Sequence, residues 1–153
     1  MKKLFLLVVL WLSLLTGIQA QFPKAIFPGD YPDPSILRDG KDYYMTHSPF
    51  YYAPGFLIWH STDLLHWEPV CRALPEYEGS AMAPDLLKYQ GRYYIYYPTS
   101  TGENYVIYAD NIRGPWSKPV KLDVKGIDPG HVVGEDGKRY LFTNNGWITP
   151  LSD

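Results

Sequence analysis

Two Asp-Pro dipeptides are the residues of this chain whose type and setting are best suited to chemistry. Asp33 lies between Pro32 and Pro34 in the segment GDYPDPSILRDGKDYYMTHS, and Asp128 precedes Pro129 in IDPGHVVGEDGKRYLF. An Asp-Pro pair by itself predicts a turn, because the Asp side chain can hydrogen-bond the backbone two residues on. Its recurrence before two similar strand-like segments favours a further interpretation, in which both carboxylates belong to one catalytic site.

Carboxylates around an aromatic-rich pocket are typical of glycoside hydrolysis, in which one acts as base or nucleophile and a second, protonated, as acid. The chain contains 14 Tyr, 5 Trp and 6 Phe. Flat aromatic rings suit sugar binding, and aromatic residues also favour strands in general. Phe50, Tyr51, Tyr52 and Trp59 are therefore candidates to line a sugar pocket, with packing in the core as the equal alternative.

Three similar segments position these residues: DPSILRDGKDYYMT from Asp33, APDLLKYQGRYYIYY from Ala83 and DPGHVVGEDGKRYLFT from Asp128. Each carries a proline, apolar residues, a glycine turn and a Tyr-rich run, and they recur at about fifty residues, which is typical of β-propeller blades of four short strands. The innermost strand of each blade lines a central channel. We therefore expect Asp33 and Asp128 near one channel mouth. The equivalent place in the second unit is the segment APD, in which Asp85 lies one residue beyond the proline.

The expected strands follow from this repeat. In the first unit they are Ile36–Arg38, Tyr43–Thr46, Leu57–His60 and the region of Trp67–Val70. In the second they are Leu86–Lys88, Tyr93–Tyr97, Tyr105–Ala109 and a fourth strand around Trp116. The third unit has a hairpin containing Tyr140–Thr143.

The number of units is too small for a closed propeller. The chain holds two blades and about half of a third, whereas propellers close with about four to eight. An open arc exposes strand edges, which favours aggregation. We therefore expect residues 21–153 to be the N-terminal part of a longer propeller domain, the alternative being a complete small all-β domain.

Residues 1–20 have the pattern of a secretory signal peptide, with Lys2 and Lys3, an apolar run from Leu4 to Leu15 and a small residue, Ala20, at the cleavage position. The run is shorter than a membrane span of about 20 residues. We expect export to the periplasm or the cell exterior without stable membrane insertion, a retained N-terminal anchor being the alternative.

Composition excludes several other classes. The formal net charge is −2 and the sequence has no cluster of basic residues. The charge therefore does not favour binding to nucleic acid. Cys71 is the only cysteine, which rules out an intramolecular disulfide. No phosphate-binding loop, His/Cys metal spacing or Ser-His-Asp arrangement stands out.

Four segments, YPDPS, APDLLKYQGRYYIYY, GPWSKP and IDPGHVVGEDGKRYLF, resemble glycoside hydrolase family 43 in order and spacing over residues 27 to 153. The resemblance implies a five-bladed β-propeller, inversion of configuration, and action on xylose- or arabinose-containing oligo- or polysaccharides. The segment YYMTHSPFYYAPGFLIWHSTDLLHWEPV favours the β-xylosidase branch over arabinanases, with α-L-arabinofuranosidase activity also open.

The resemblance also implies roles for individual residues. Asp33 matches the family's general base, and Asp128 matches the carboxylate that tunes the pKa of the acid and orients it. The family's general acid is a glutamate of a later blade, which neither Glu103 nor Glu135 matches. We therefore expect the 153-residue chain to be inactive alone.

Substrate contacts are predicted at Phe50, Asp85 and His131, with His47 as a further polar candidate. Met82 stands where the family often has Trp, and Met is a poorer stacking platform. No cofactor is required by this segment, and the calcium ion that the family often carries is expected to have its ligands beyond residue 153.

Two other functions compete with hydrolysis. A non-catalytic carbohydrate-binding propeller needs neither Asp33 nor Asp128. A protein-interaction propeller predicts no carboxylates grouped at the channel. The retention of both aspartates favours the enzyme, whereas the sequence leaves its oligomeric state and its preference between xylose and arabinose open.

Overall fold

The computed structural model describes residues 25–77 and 79–152; the predicted signal peptide lies outside them. The first sheet has the order β1-β2-β3-β4 and is antiparallel throughout. Its strands are β1 (Ser35–Asp39), β2 (Asp42–Thr46), β3 (Gly55–Ser61) and β4 (Glu68–Leu74). Gly40, with φ of 64°, begins the tight connection between β1 and β2, a conformation that glycine adopts without steric cost.

The second sheet repeats this order with β5 (Asp85–Tyr89), β6 (Arg92–Pro98), β7 (Asn104–Ala109) and β8 (Val120–Leu122). The predicted fourth strand around Trp116 was wrong, because the strand lies at β8. Prolines at positions 115 and 119 flank Trp116 and have no N–H for a ladder. The Trp116 indole instead donates to the carbonyl oxygen of Ile112 at 3.2 Å.

The third sheet has the order β11-β10-β9, with β9 (Gly130–Val133), β10 (Arg139–Thr143) and β11 (Trp147–Leu151). A short 3-10 turn, Asn144–Gly146, joins β10 to β11. The described chain is therefore all-β, and its three successive meanders are consecutive blades of a β-propeller, the third with three strands.

Neighbouring blades touch through their innermost strands, since β5 contacts β1 on one side and β9 on the other. Ser35 and Leu86, near the starts of β1 and β5, share a hydrogen bond of 2.9 Å. Asp39 and Lys88, near the ends of the same strands, form an ion pair at 2.7 Å. The two innermost strands therefore run in the same direction.

Strand β6 divides its side chains between two cores, because successive side chains of a strand point to opposite faces. Tyr93, Ile95 and Tyr97 pack with residues of the first blade such as Phe56. Tyr96 packs with Leu141 of the third blade in a second cluster. No helix among the described residues is long and apolar enough to cross a membrane.

Candidate active site

The same backbone feature marks the entrance to each innermost strand. Asp33, Ala83 and Asp128 each stand directly before a proline and two residues before β1, β5 or β9. Their φ angles are 52°, 35° and 58°, a region that non-glycine residues rarely occupy. Positive φ values in L-residues cluster at functional sites. The position equivalent to Asp33 in the second blade is therefore Ala83 rather than Asp85.

The three entrances lie next to one another. Leu86 N donates to Ser35 Oγ between the first and second blades. His131 N donates to Asp85 Oδ2 at 2.7 Å between the second and third. Asp33, Asp85 and Asp128 therefore lie at the same end of three neighbouring strands, as the repeat predicted.

Ser48 fixes the Asp33 carboxylate. Ser35 pairs with Thr46 in the β1–β2 ladder. When this register is extended by two residues, Ser48 lies opposite Asp33. The Ser48 hydroxyl accepts the N–H of Ala83 at 2.6 Å and donates to Asp33 Oδ2 at 2.5 Å. The N–H of Ala83 can only donate, so the Ser48 oxygen is the acceptor of that bond. The hydroxyl proton of Ser48 is therefore the one donated to Asp33. Asp33 Oδ1 has no hydrogen-bond partner in the described part of the chain.

The Asp128 carboxylate is exposed and has no hydrogen bond to any described residue. Asn144 occupies the place that Ser48 has in the first blade, and its backbone N–H donates to the carbonyl of Ile127 at 2.8 Å. Its side-chain oxygen accepts the N–H of Ile127 at 3.0 Å, so it binds backbone and leaves Asp128 free.

Asp85 is half-buried between the second and third blades, and burial raises its pKa above the ordinary value, opposed by the hydrogen bond from His131 N. The structure thus gives Asp85 a contact with the backbone of the neighbouring blade. Its carboxyl has no other hydrogen bond to a described residue.

His131 lies in the interface between the second and third blades. Its ring stacks on Tyr96 at 5.9 Å and lies near Tyr89 at 5.8 Å. Arg139 Nε donates to His131 Nε2 at 3.1 Å, so this nitrogen is unprotonated. Burial, followed by the positive charge of Arg139, lowers the pKa of His131 below its ordinary value.

Arg139 is the residue that the sequence did not single out. It is only 6% exposed and forms no ion pair within the described residues. Its guanidinium lies 4.6 Å from the Tyr89 ring centroid and 4.9 Å from that of Tyr94, and it donates to the Tyr96 hydroxyl at 2.8 Å. Arg139 therefore ties the third blade to three tyrosines of the second.

Phe50 lies on the first blade, two residues after Ser48. It pairs with Ala81 through an isolated bridge, is half-buried, and lines a cavity of about 550 Å³ together with His47, Tyr52 and Trp59. Ser48 also lines this cavity, so the cavity borders the residue that holds Asp33. The sequence candidates Phe50 and His47 thus come together near Asp33, whereas Asp85 and His131 meet at the next blade interface.

The two glutamates excluded as general acid lie elsewhere. Glu103 accepts hydrogen bonds from Lys121 and, at 2.9 Å, from the Tyr105 hydroxyl, and Glu135 is exposed. Within residues 25–77 and 79–152, no three His, Cys, Asp or Glu side chains form a group that could hold a metal ion. The expectation that the calcium ligands lie beyond residue 153 stays a prediction.

Comparisons with known proteins identify relatives of this chain. The chain is 34% identical to the non-reducing end alpha-L-arabinofuranosidase BoGH43B of Bacteroides ovatus, over 93% of this chain and 30% of the relative. It is 36% identical to the xylosidase/arabinosidase 43B of Humicola insolens, over 83% of this chain and 27% of the relative. The chain thus spans less than a third of the length of either relative.

A solved structure shows the same architecture. The GH43 protein BlXynB of Bacillus licheniformis, as its K247S mutant, superposes with a TM-score of 0.76 at 35% identity, covering 86% of this chain and 30% of that one. The profile described as Glycosyl hydrolases family 43 matches residues 22–152. The chain therefore belongs to glycosyl hydrolase family 43.

Proposed function

We propose that this chain supplies the base side of an inverting glycoside hydrolase that releases xylose or arabinose from plant-type oligo- or polysaccharides, with β-xylosidase activity favoured. One observation carries the proposal. Ser48 holds Asp33 Oδ2, and Oδ1 has no partner among the described residues. An anchored carboxylate with one open oxygen is the arrangement that a general base requires.

In the proposed step, Asp33 Oδ1 accepts a proton from a water molecule as the water oxygen forms a bond to the anomeric carbon. The glycosidic C–O bond breaks, and its electron pair stays on the leaving oxygen, which takes a proton from the general acid. Attack by water on the face opposite the leaving group inverts the configuration. Asp128, at the same end of the neighbouring strands, is proposed to raise the pKa of the acid by its like charge.

We further propose that the general acid lies outside these 153 residues. Two relatives, an alpha-L-arabinofuranosidase and a xylosidase/arabinosidase, support pentose-containing substrates. Removing general acid assistance costs about 10²–10⁴-fold in rate, so the isolated chain is expected to turn over neither aryl xyloside nor aryl arabinofuranoside. Measurable turnover by the isolated chain would overturn the assignment of the acid.

The base is tested by Asp33→Asn in the full-length protein that carries this chain. We expect hydrolysis to fall by about 10²–10⁴-fold while the sugar still binds, as measured by calorimetry. The matched control is Asp123→Asn, a change at an exposed carboxylate. Unchanged turnover in Asp33→Asn excludes Asp33 as base, and sugar binding without any hydrolysis in the parent supports a binding propeller instead.

Export is proposed from residues 1–20 alone. Cleavage after Ala20 would give a secreted protein that begins at Gln21. Mass spectrometry of the protein recovered outside the cytoplasm measures this, and an uncleaved N-terminus retained in the membrane fraction would contradict it.

A further inference from the structure

A buried asparagine of the second blade holds the segment that leads into Asp128. Asn104, at the start of β7, is only 1% exposed. Its Nδ2 group donates one hydrogen bond to the carbonyl of Val124 at 3.1 Å and another to the carbonyl of Gly126 at 2.8 Å. An amide NH₂ group has two hydrogens, and Asn104 therefore uses both of them on this segment.

An asparagine of the third blade holds the residue that follows. The side-chain oxygen of Asn144 accepts the N–H of Ile127 at 3.0 Å, and the backbone N–H of Asn144 donates to the carbonyl of Ile127 at 2.8 Å. Thr143 Oγ1 adds a hydrogen bond to the carbonyl of Lys125 at 2.5 Å. Both backbone groups of the residue directly before Asp128 are thus bound by a single residue.

The two asparagines meet at one peptide group. Its carbonyl, from Gly126, accepts a hydrogen bond from Asn104, and its N–H, from Ile127, donates to Asn144. The approach is close, because a Cβ atom at Gly126 would lie 2.5 Å from Asn144 Oδ1. This peptide group is therefore fixed from both sides, by one side chain of the second blade and one of the third.

The backbone on the other side of Asp128 is held as well. The N–H of His131 donates to Asp85 Oδ2 at 2.7 Å, so the chain is anchored both before and after Asp128. The Asp128 carboxylate itself is exposed and has no hydrogen bond to any described residue. Its place is set through the backbone, whereas the carboxylate of Asp33 is bound directly by Ser48.

No basic side chain of the described residues forms an ion pair with Asp128. The ammonium group of Lys125 lies 5.0 Å from the ring centroid of Trp147, and Arg139 donates to the ring of His131. A carboxylate raises the pKa of a neighbouring carboxyl more strongly the closer it lies. The effect of an unpaired Asp128 on another carboxyl is therefore governed by the distance between them.

We propose that Asn104 and Asn144 are positioning residues for Asp128, which set the distance from its carboxylate to the general acid. The inference rests on the proposed function, because it takes Asp128 to act on that acid. It distinguishes two ways of holding a carboxylate. The base is bound directly by a hydroxyl group, whereas Asp128 is held through its backbone, which leaves both of its oxygens without a partner among the described residues.

The test is the pH dependence of kcat/KM in the full-length protein that carries this chain, measured with aryl xyloside and aryl arabinofuranoside. The basic limb of this profile reports the pKa of the acid. Asn144→Ala frees the peptide group on one side, so that Asp128 moves away from the acid. We expect the basic limb to move to lower pH by about 0.5–1 unit, while the acidic limb, which reports Asp33, stays in place.

Asp128→Asn shows whether Asn144 acts through Asp128. This change removes the charge and should move the basic limb at least as far as Asn144→Ala does. Addition of Asn144→Ala to Asp128→Asn should then have no further effect, because no charge is left to be positioned. A further shift of the basic limb in the double variant would overturn the inference.

Asn111→Ala is the matched control. The side-chain oxygen of Asn111 also accepts a backbone N–H, from Arg113 at 2.9 Å, but Asn111 is exposed and lies beyond the opposite end of β7 from Asn104. The inference is overturned if Asn111→Ala moves the basic limb as far as Asn144→Ala does, or if the profile of Asn144→Ala is that of the parent.

Hydrogen exchange provides a measurement that does not depend on activity. In the 153-residue chain, the amide hydrogen of Ile127 should exchange about tenfold faster in Asn144→Ala than in the parent, because it has lost its acceptor. The amide hydrogen of Arg113 should respond in the same way to Asn111→Ala. Unchanged exchange at Ile127 would contradict the contact on which the inference depends.

The outcomes separate the inference from the proposed function. If the parent hydrolyses neither substrate, the proposed function fails and the inference fails with it. If the parent is active, Asp33→Asn is inactive and Asn144→Ala keeps the profile of the parent, only the positioning role is wrong.

Discussion

Ser48 stands across the extended β1–β2 ladder from Asp33 and donates its hydroxyl to Oδ2 of that carboxylate at 2.5 Å. The same hydroxyl accepts the N–H of Ala83, from the second blade. The side chain is only 3% exposed. One buried hydroxyl group therefore fixes the candidate base and also joins two blades.

Replacement of this hydroxyl tests both roles. Ser48→Ala leaves the Ala83 N–H without its partner, so we expect the free energy of unfolding to fall by about 1–3 kcal/mol, measured by urea denaturation. In the full-length protein, kcat should fall more than KM changes, because Asp33 loses its anchor. Ser100→Ala, at an exposed serine, should stay within about 0.5 kcal/mol of the parent; an equal loss there would contradict the role of Ser48.

Ala83 carries a positive φ as Asp33 and Asp128 do, but its side chain has no group that could take part in catalysis. Its φ of 35° strains an L-residue, and glycine relieves such strain. We expect Ala83→Gly to be neutral or stabilising by chemical denaturation. At Ala81, which is 1% exposed and has no positive φ, the same change should cost about 1 kcal/mol. Equal losses at both positions would show that no strain is stored at the entrance.

Arg139 should contribute more to the free energy of unfolding than an arginine at the surface does. Arg139→Met removes the contacts with two tyrosine rings and the hydrogen bonds to Tyr96 and His131, so we expect a loss of about 2–3 kcal/mol. Arg139→Lys should recover little, because a lysine lacks the planar fork. The control Arg92→Met removes an exposed ion pair with Asp110 and should cost less than about 1 kcal/mol. Similar losses at both arginines would refute a special role for Arg139.

Acidification should weaken the interface between the second and third blades. Because the pKa of His131 in the folded chain lies below its ordinary value of 6.5, the unfolded chain takes up this proton at higher pH. The free energy of unfolding therefore falls as pH drops through 6.5, and protonation also places two donors face to face at Arg139. Asp85, with a raised pKa, acts in the opposite direction, at lower pH.

Unfolding midpoints measured between pH 7.5 and 5 test this dependence. His131→Gln should reduce the fall in the unfolding midpoint between pH 7.5 and 5, because the variant lacks the titrating imidazole. His66→Gln, a change at a ring that is 88% exposed, serves as the control. A decline that stays as steep in His131→Gln as in the parent would assign the pH dependence to other groups.

The sequence predicted the repeat, the strands of the first blade and the place of Asp33 and Asp128, because turns and strand periodicity are local signals. The hairpin register puts Ser48 opposite Asp33, but the register alone does not predict the contact, because Asn144 at the same place of the third blade leaves Asp128 free. The sequence could not show that the Asp85 carboxyl accepts the N–H of His131 from the next blade, because that contact depends on how two blades pack.

Arg139 could not be found in the same way. An arginine at the start of the RYLFT strand is expected at the surface, and its burial depends on Tyr89 and Tyr94, about one blade earlier in the repeat. The run YYIYY in β6 likewise does not show which tyrosine rings pack toward the first blade and which pack toward the third. Such features follow from the packing of one blade on another, which no short segment encodes.

The Ser48 contact also bears on the order in which the protein forms. Each blade pairs only adjacent strands, so the first can close during synthesis once residues up to Leu74 have emerged. Its Ser48 hydroxyl, however, still lacks the N–H of Ala83. The hydrogen bonds that fix the Asp33 carboxylate are therefore complete only when the second blade docks, so the orientation of this side chain depends on two blades that fold in succession.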